Sequence, residues 1–139
     1  MQRFARGSLM SVAALLVAAG CAAQPPALGS STATVTVDGQ RIGPLQVTCT
    51  QAGALWTVRT LEPDPGFTAA FDTDGGVKAQ AVQLVNLAGF TGDFWAGTVG
   101  EGRGSLANGR FRLSGTAEGY FADDPTHRTE TTFEIDTNC

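Results

Sequence analysis

From Thr32 to the end, the chain alternates apolar and polar residues in short runs broken by glycine-rich turns, and this period of two is what most narrows its folds. Alternation puts successive side chains on opposite faces of a strand, one face to a core and one to water. Thr32–Val37 alternates and stops at Asp38-Gly39. Leu45–Thr50 and Leu55–Thr60 repeat the pattern on either side of Gly53. Phe67–Asp72 runs into Thr73-Asp74-Gly75-Gly76, whose glycines supply the positive φ of a hairpin turn. Val77–Leu87 carries apolar residues on one face and then the other, which predicts a bulge. A helix over Lys78–Leu87 is disfavoured by Val82, Val85 and the flanking glycines. Phe94–Val99, Gly104–Ala107, Arg110–Glu118 and Thr129–Asp136 complete the series, with Asn108-Gly109 as the strongest turn signal. About eight strands at this spacing predict an all-β chain, an antiparallel β-sandwich or flattened barrel.

The residues before Thr32 follow other rules. Arg3 and Arg6 precede an apolar run from Leu9 to Ala19 interrupted only by Ser11. That run has signal-peptide length and is too short to cross the ~30 Å of a bilayer as a helix. It ends in Ala18-Ala19-Gly20-Cys21, small residues ahead of a cysteine, as a lipoprotein signal peptidase requires. Ala18 stands where a branched aliphatic is usual, so ordinary cleavage near Ala22-Ala23 stays open beside cleavage at Cys21. The expected organisation is a signal peptide over residues 1–20, a lipidated tether over 21–31 stiffened by Pro25 and Pro26, and a β domain over 32–139. Acylation of Cys21 by diacylglycerol and an N-acyl chain anchors the protein to the outer face of the cell membrane, because two or more chains hold where one exchanges.

Charge excludes one class of partner. The full chain carries a formal charge of -4, and after processing seven cations face thirteen acids. Nucleic acid needs a basic face, and no basic stripe is present. An acidic body on a lipid anchor is expected to be repelled by an anionic membrane surface. The two remaining cysteines, Cys49 and Cys139, form an even pair in an exported chain, for which a disulfide closing a loop of roughly 90 residues is the expected state. They do not read as metal ligands, since there is no CxxC and the one histidine, His127, falls in a loop. No cofactor is implied.

Other chemistry-bearing patterns have plainer readings. Asp72-Thr-Asp74-Gly-Gly begins like a calcium loop but lacks the later ligands and the closing Glu, so a hairpin turn is preferred. Gly100, Gly102 and Gly104 do not fit a dinucleotide fingerprint and read as a bulge or flexible connection. Asp123, Asp124, His127 and Glu130 are the one acid–histidine cluster. Ser105 and Ser114 are nucleophile candidates without GxSxG or any spacing that ties them to His127, so a solvated loop is expected. Of ten aromatics after Cys21, most belong to the core. Phe90, Phe94 and Trp95, loosened by nearby glycines, are the candidates to line an apolar ligand pocket.

Val35-Thr-Val-Asp-Gly-Gln40, Val47-Thr-Cys49, Gly100-Glu-Gly-Arg-Gly104, Arg112-Leu-Ser-Gly-Thr-Ala-Glu-Gly119 and Phe133-Glu-Ile-Asp-Thr-Asn-Cys139 together resemble the mycobacterial 19 kDa lipoprotein antigen family in order and spacing. The resemblance implies export, acylation at Cys21, a Cys49–Cys139 bridge, attachment to the cell envelope and sensing of the lipidated N-terminus by host Toll-like receptors. It brings no catalytic residue. The tether is poorer in Ser and Thr than is usual for that family, leaving Ser30, Ser31, Thr32 and Thr34 as nearby glycan acceptors, and Trp56 and Trp95 stand where small residues are expected. The expected function is a non-enzymatic surface antigen or envelope and host interaction module. The alternative is a carrier that holds a lipid or other apolar ligand.

Overall fold

Antiparallel strands fill the computed structural model, which describes residues 30–139. They are β1 (Ser31–Val37), β2 (Gln40–Ala52), β3 (Leu55–Thr60), β4 (Gly66–Asp72), β5 (Lys78–Leu87), β6 (Phe90–Trp95), β7 (Glu101–Ala107), β8 (Arg110–Phe121) and β9 (Asp124–Thr137). Each strand pairs with its neighbour in sequence except at β6–β7, and the first pairs with the last. β6 and β7 share one edge of β8. Phe90–Asp93 lie opposite Phe121–Glu118, and Glu101–Ala107 opposite Thr116–Arg110. The two are therefore segments of one barrel stave, interrupted where the Trp95 N–H donates to the Val99 carbonyl at 2.8 Å. The sheet closes on itself as an up-and-down barrel, the second of the two expected architectures, and closure leaves little strand edge exposed.

The alternation read in the sequence is the alternation of burial. Ala33, Val35 and Val37 of β1, Phe67, Ala69 and Phe71 of β4, and Phe133 and Ile135 of β9 point inward and are buried. Thr34, Thr36, Arg112, Glu134 and Asp136 lie between them on the outer wall, which is polar. In β5 the buried set changes phase from Ala79 to Val82 and Leu84, and register shifts fall at Ala70/Phe71 and Leu84/Leu87. This is the predicted bulge. A barrel of eight staves is just wide enough for side chains to fill it. Here a single buried cluster does so, with Phe71, Phe90, Phe94, Leu84 and Leu113 among its largest members.

Four strands begin earlier than their alternation predicts: β2 at Gln40 and not Leu45, β7 at Glu101 and not Gly104, β9 at Asp124 and not Thr129, and β6 at Phe90 and not Phe94. The turn before β6 is Ala88-Gly89, with φ of 51° and 77°. Alanine is not a turn residue, so the two-residue hairpin carried no signal, unlike Asn108-Gly109, where φ is 54° and 72°.

The barrel has two distinct ends. Ser31 lies opposite Val47, Ala33 opposite Thr137, and Thr137 opposite Phe111, so the chain enters and leaves at one end. The turns around Gly53, Asp74–Gly76 and Asn108-Gly109 share that end, and the Thr73 N–H ties two of them by donating to the Ala54 carbonyl at 2.9 Å. The opposite end holds Asp38-Gly39, residues 61–65, Ala88-Gly89 and Ala122-Asp123, joined by a 2.8 Å bond from the Ala122 N–H to the Gly89 carbonyl. Charge follows this division. The entry end carries Lys78, Arg110 and Arg112 against Asp72, Asp74 and Asp136. The far end carries Asp38, Glu62, Asp64, Asp93, Glu118, Asp123, Asp124 and Glu130 against Arg41 and Arg128. Arg59 also lies beside the far-end turn of residues 61–65, Glu134 lies 3.7 Å from Arg112 toward the entry, and Glu101 and Arg103 offset each other in β7. Most of the net negative charge of residues 30–139 thus sits away from the entry.

Candidate functional site

At the entry end the sequence places its strongest covalent constraint. Cys49 of β2 and Cys139, just past β9, form a disulfide with Cα atoms 5.9 Å apart. β1 lies between those two strands, so the bridge ties both neighbours of β1 beside its first residues. The Thr32 N–H donates to Asn138 Oδ1 at 2.9 Å, and Thr137 Oγ1 donates to the Thr32 carbonyl at 2.9 Å. Behind this clamp, Trp56, Phe71 and Phe111 close the barrel, with ring centroids 4.7 Å apart for Phe71–Phe111 and 5.4 Å for Trp56–Phe111. Any force applied through residues ahead of Ser31 therefore meets a strand hydrogen-bonded on both edges and flanked by a cross-link. Cys21, the signal peptide and most of the tether lie outside the described residues.

The three aromatics expected to share a pocket do not. Phe90 and Phe94 are buried inside the barrel, while Trp95 points outward and is 54% exposed. Strand alternation makes this unavoidable, because Phe94 and Trp95 are consecutive in β6. Phe94 does reach the floor of a cleft of about 540 Å³ at the β6–β7 break, otherwise lined by Ala96, Gly97, Gly100, Glu101, Gly102 and Arg103. The glycines there have a sharper role than the flexible connection expected of them. A Cβ on Gly102 would overlap the Phe94 ring, and one on Gly104 would come within 2.6 Å of Val77 and 3.2 Å of Leu113. β7 is glycine-rich because it lies directly over core side chains.

The remaining candidates are separated or engaged. Asp72 Oδ1 accepts the Asp74 N–H at 2.6 Å, so the calcium-like segment is a turn that uses its own carboxylate. Among the described residues no group of three or more His, Cys, Asp or Glu is arranged to hold a metal ion. Ser114 pairs with Glu134, whereas His127 lies seven residues further along β9, roughly 23 Å at ~3.3 Å per residue. Ser105 lies nearer the entry end still, opposite Arg112. The structure brings neither serine to the histidine. Of the expected solvated loop only Asp123 lies in a turn; Asp124, His127 and Glu130 belong to strand β9 and are exposed on it.

Two electrostatic features were not read from the sequence. On the outer wall near the entry end, Arg110 Nε lies 2.5 Å from Asp136 Oδ1 and Arg112 Nη2 lies 3.1 Å from Oδ2. Burial alone would raise the Asp136 pKa, but hydrogen bonds and charge from the two guanidinium groups outweigh it and hold the carboxyl below its ordinary value. Toward the far end, Asp93 stands opposite Glu118 and Glu118 opposite Glu130, three carboxylates in one cross-strand row. Burial pushes Asp93 up, and Arg128 opposes this only in part. Arg128 Nη2 lies 3.7 Å from Glu118. Alternation put Arg110 and Arg112 on one face, but the partners across the wall are fixed by register, which the sequence did not supply.

A small disulfide-bonded β-barrel, filled by its own side chains and entered beside its cross-link, is the class of protein that these features define. The chain belongs to the Mycobacterium 19 kDa lipoprotein antigen family, whose model matches residues 26–139. A protein of Mycobacterium avium subsp. hominissuis named "Putative lipoprotein" is 36% identical over 120 residues, covering 86% of this chain and 83% of its own. One of the same name from Mycobacterium indicus pranii is 33% identical, covering 96% and 99%. "Probable lipoprotein LppE" of Mycobacterium tuberculosis is 31% identical, covering 91% and 92%. The chain is thus a lipoprotein of this family, associated with the envelope and held to a membrane through lipid.

Proposed function

We propose that the mature protein is a displayed module. Residues 1–20 are removed as a signal peptide, Cys21 carries diacylglycerol and an N-acyl chain of the palmitate class, and residues 21–31 tether the barrel to the outer face of the cell membrane. It acts as a surface antigen or as an envelope and host interaction module, without enzymatic activity, and its acylated N-terminus is what host Toll-like receptors sense. The observation that carries this reading over a ligand carrier is the barrel interior, where Phe71, Phe90 and Phe94 sit in one continuous buried cluster. A carrier needs an enclosed apolar pocket of ~300 Å³ or more. The cleft of about 540 Å³ at the β6–β7 break is an open surface groove lined by glycines, Glu101 and Arg103 beside Phe94, and a void of that size inside a small barrel would displace the side chains that stabilise it. Also in favour is the position of the entry clamp, which suits a fold loaded through its N-terminus.

Mass spectrometry of the N-terminal peptide from the native host tests the anchor. The expected result is acylated Cys21 as the first residue, with Cys21→Ser released from the membrane fraction. An unmodified N-terminus at Ala22 or later would overturn it.

A further inference from the structure

β2 is thirteen residues long and serves two neighbours in succession, and the stagger brings a far-end loop beside the point where the chain enters. Ser31 and Thr60 both stand opposite Val47, on either edge of β2. One residue along, Thr32 stands opposite Gln46, and from the other edge the Leu61 N–H donates to the Gln46 carbonyl at 3.0 Å. The loop of residues 61–65 therefore starts two strand spacings from the first residues of β1, roughly 10 Å. Between this loop and β2 lies a groove of about 350 Å³ whose apolar lining is Pro44, Leu45, Leu61 and Pro65. Leu45 packs against the core below. Leu61 is 58% exposed, more than any other large apolar side chain among the described residues.

Charge decides what can cover this groove. Glu62 lines it and Asp64 follows in the same loop, so an anionic lipid surface is repelled. An isologous contact with a second copy would bring both pairs of acids together. The segment just ahead of β1 meets neither obstacle. Residues 22–30, Ala-Ala-Gln-Pro-Pro-Ala-Leu-Gly-Ser, carry no charge, and Pro25, Pro26, Ala27 and Leu28 are apolar. We propose that Pro25–Leu28 folds back across β2 and docks in the groove, with Leu28 against Leu61 and Leu45. This rests on residues 21–31 being the tether of the mature chain. From Leu28 to Ser31 the chain reaches roughly 10 Å when extended, more than is needed once the side chains of Leu28 and Leu61 bridge part of the gap. Gly29 and Ser30 have the turn chemistry that a reversal requires. So short a link keeps the segment at high effective concentration beside the groove, and a modest apolar contact suffices. Docking reduces the free tether to residues 21–24 and holds the barrel close to its anchor.

The test uses the acylated protein purified from its own host, with Cys21 modified and Cys49 bridged to Cys139, so that added cysteines are the reactive thiols. Ala27→Cys is combined with Glu62→Cys in one protein and with Thr50→Cys in another. Thr50 is exposed on β2 and lies about as far from Ser31 as Glu62 does. A short bismaleimide should join 27 to 62 roughly fivefold more than 27 to 50. Leu28→Asp or Leu61→Asp should remove that preference without changing the melting temperature. Equal or reversed linking in folded protein overturns the docking and leaves the tether intact. A mature N-terminus beyond Leu28 overturns the tether and the docking with it. Links between the 62 positions of two copies would assign the groove to a second copy and contradict the proposal.

Discussion

The two ends of the barrel are made from the same alternating strands, yet they resist perturbation differently. The entry end is closed by Trp56, Phe71 and Phe111 and cross-linked by Cys49–Cys139. The far end is covered by Phe90 against a partly buried Phe121, at 5.2 Å between centroids, and carries the carboxylate row Asp93, Glu118 and Glu130. One end is built to hold together, and the other keeps an unfavourable concentration of charge. Both ends are packed, with Phe90 and Leu87 at the far end as fully buried as Phe71 at the entry, so the difference lies in the cross-link and in the charge.

Phe71→Ala breaks the comparison most directly. It removes a fully buried ring at the entry end and should cost about 3–5 kcal/mol by denaturant titration. Phe121→Ala, at the partly exposed far end, should cost less than half as much, and equal losses would refute the asymmetry. The Cys49→Ala/Cys139→Ala double variant comes next. Its bridge spans a sequence separation of 90, and its loss should cost about 2–4 kcal/mol, seen as a lower melting temperature under non-reducing conditions. Gly102→Val, which forces a side chain against Phe94, should cost about 1–3 kcal/mol while leaving both ends folded. A value near zero would mean that the β6–β7 stave is loose.

The smallest effects are electrostatic and opposite in sign at the two ends. Asp136 has a lowered pKa, so its contribution is complete above its ordinary value of 3.8 and is lost as pH falls through the lowered value. Its partners are partly solvated, so Asp136→Asn should cost under ~1 kcal/mol at neutral pH. Asp93 has a raised pKa. The fold disfavours its ionised form, so acidification through its raised pKa should relieve strain at the far end. Asp93→Asn should stabilise by a few tenths of a kcal/mol, roughly, at neutral pH and abolish that gain on acidification. Urea melts across pH 3–7 would separate the two.

Much of this was legible in the sequence because alternation is a local property. Strand faces in β1, β4, β8 and β9, the β5 bulge and the Asn108-Gly109 turn followed from residue types alone. The start of β6 did not, because Ala88 adopts a left-handed φ that its side chain does not advertise. The shared stave of β6 and β7, the overlay of Phe94 on Gly102 and the Arg110–Asp136–Arg112 pairs depend on which strands meet, a long-range outcome that no local pattern encodes. For the same reason the net charge was legible but its uneven distribution along the barrel was not. The Cys49–Cys139 pairing was legible because only two cysteines follow Cys21.

The most direct test of a filled, displayed barrel is the native mass of the folded protein purified from its own host, measured with and without organic extraction. The mass should equal the processed chain plus its N-terminal acyl groups, and extraction should release no further lipid. A stoichiometric extractable lipid that survives release of the N-terminal peptide, together with loss of that lipid when Phe94 is changed to a polar residue in a still-folded protein, would contradict the filled interior and make the barrel a carrier.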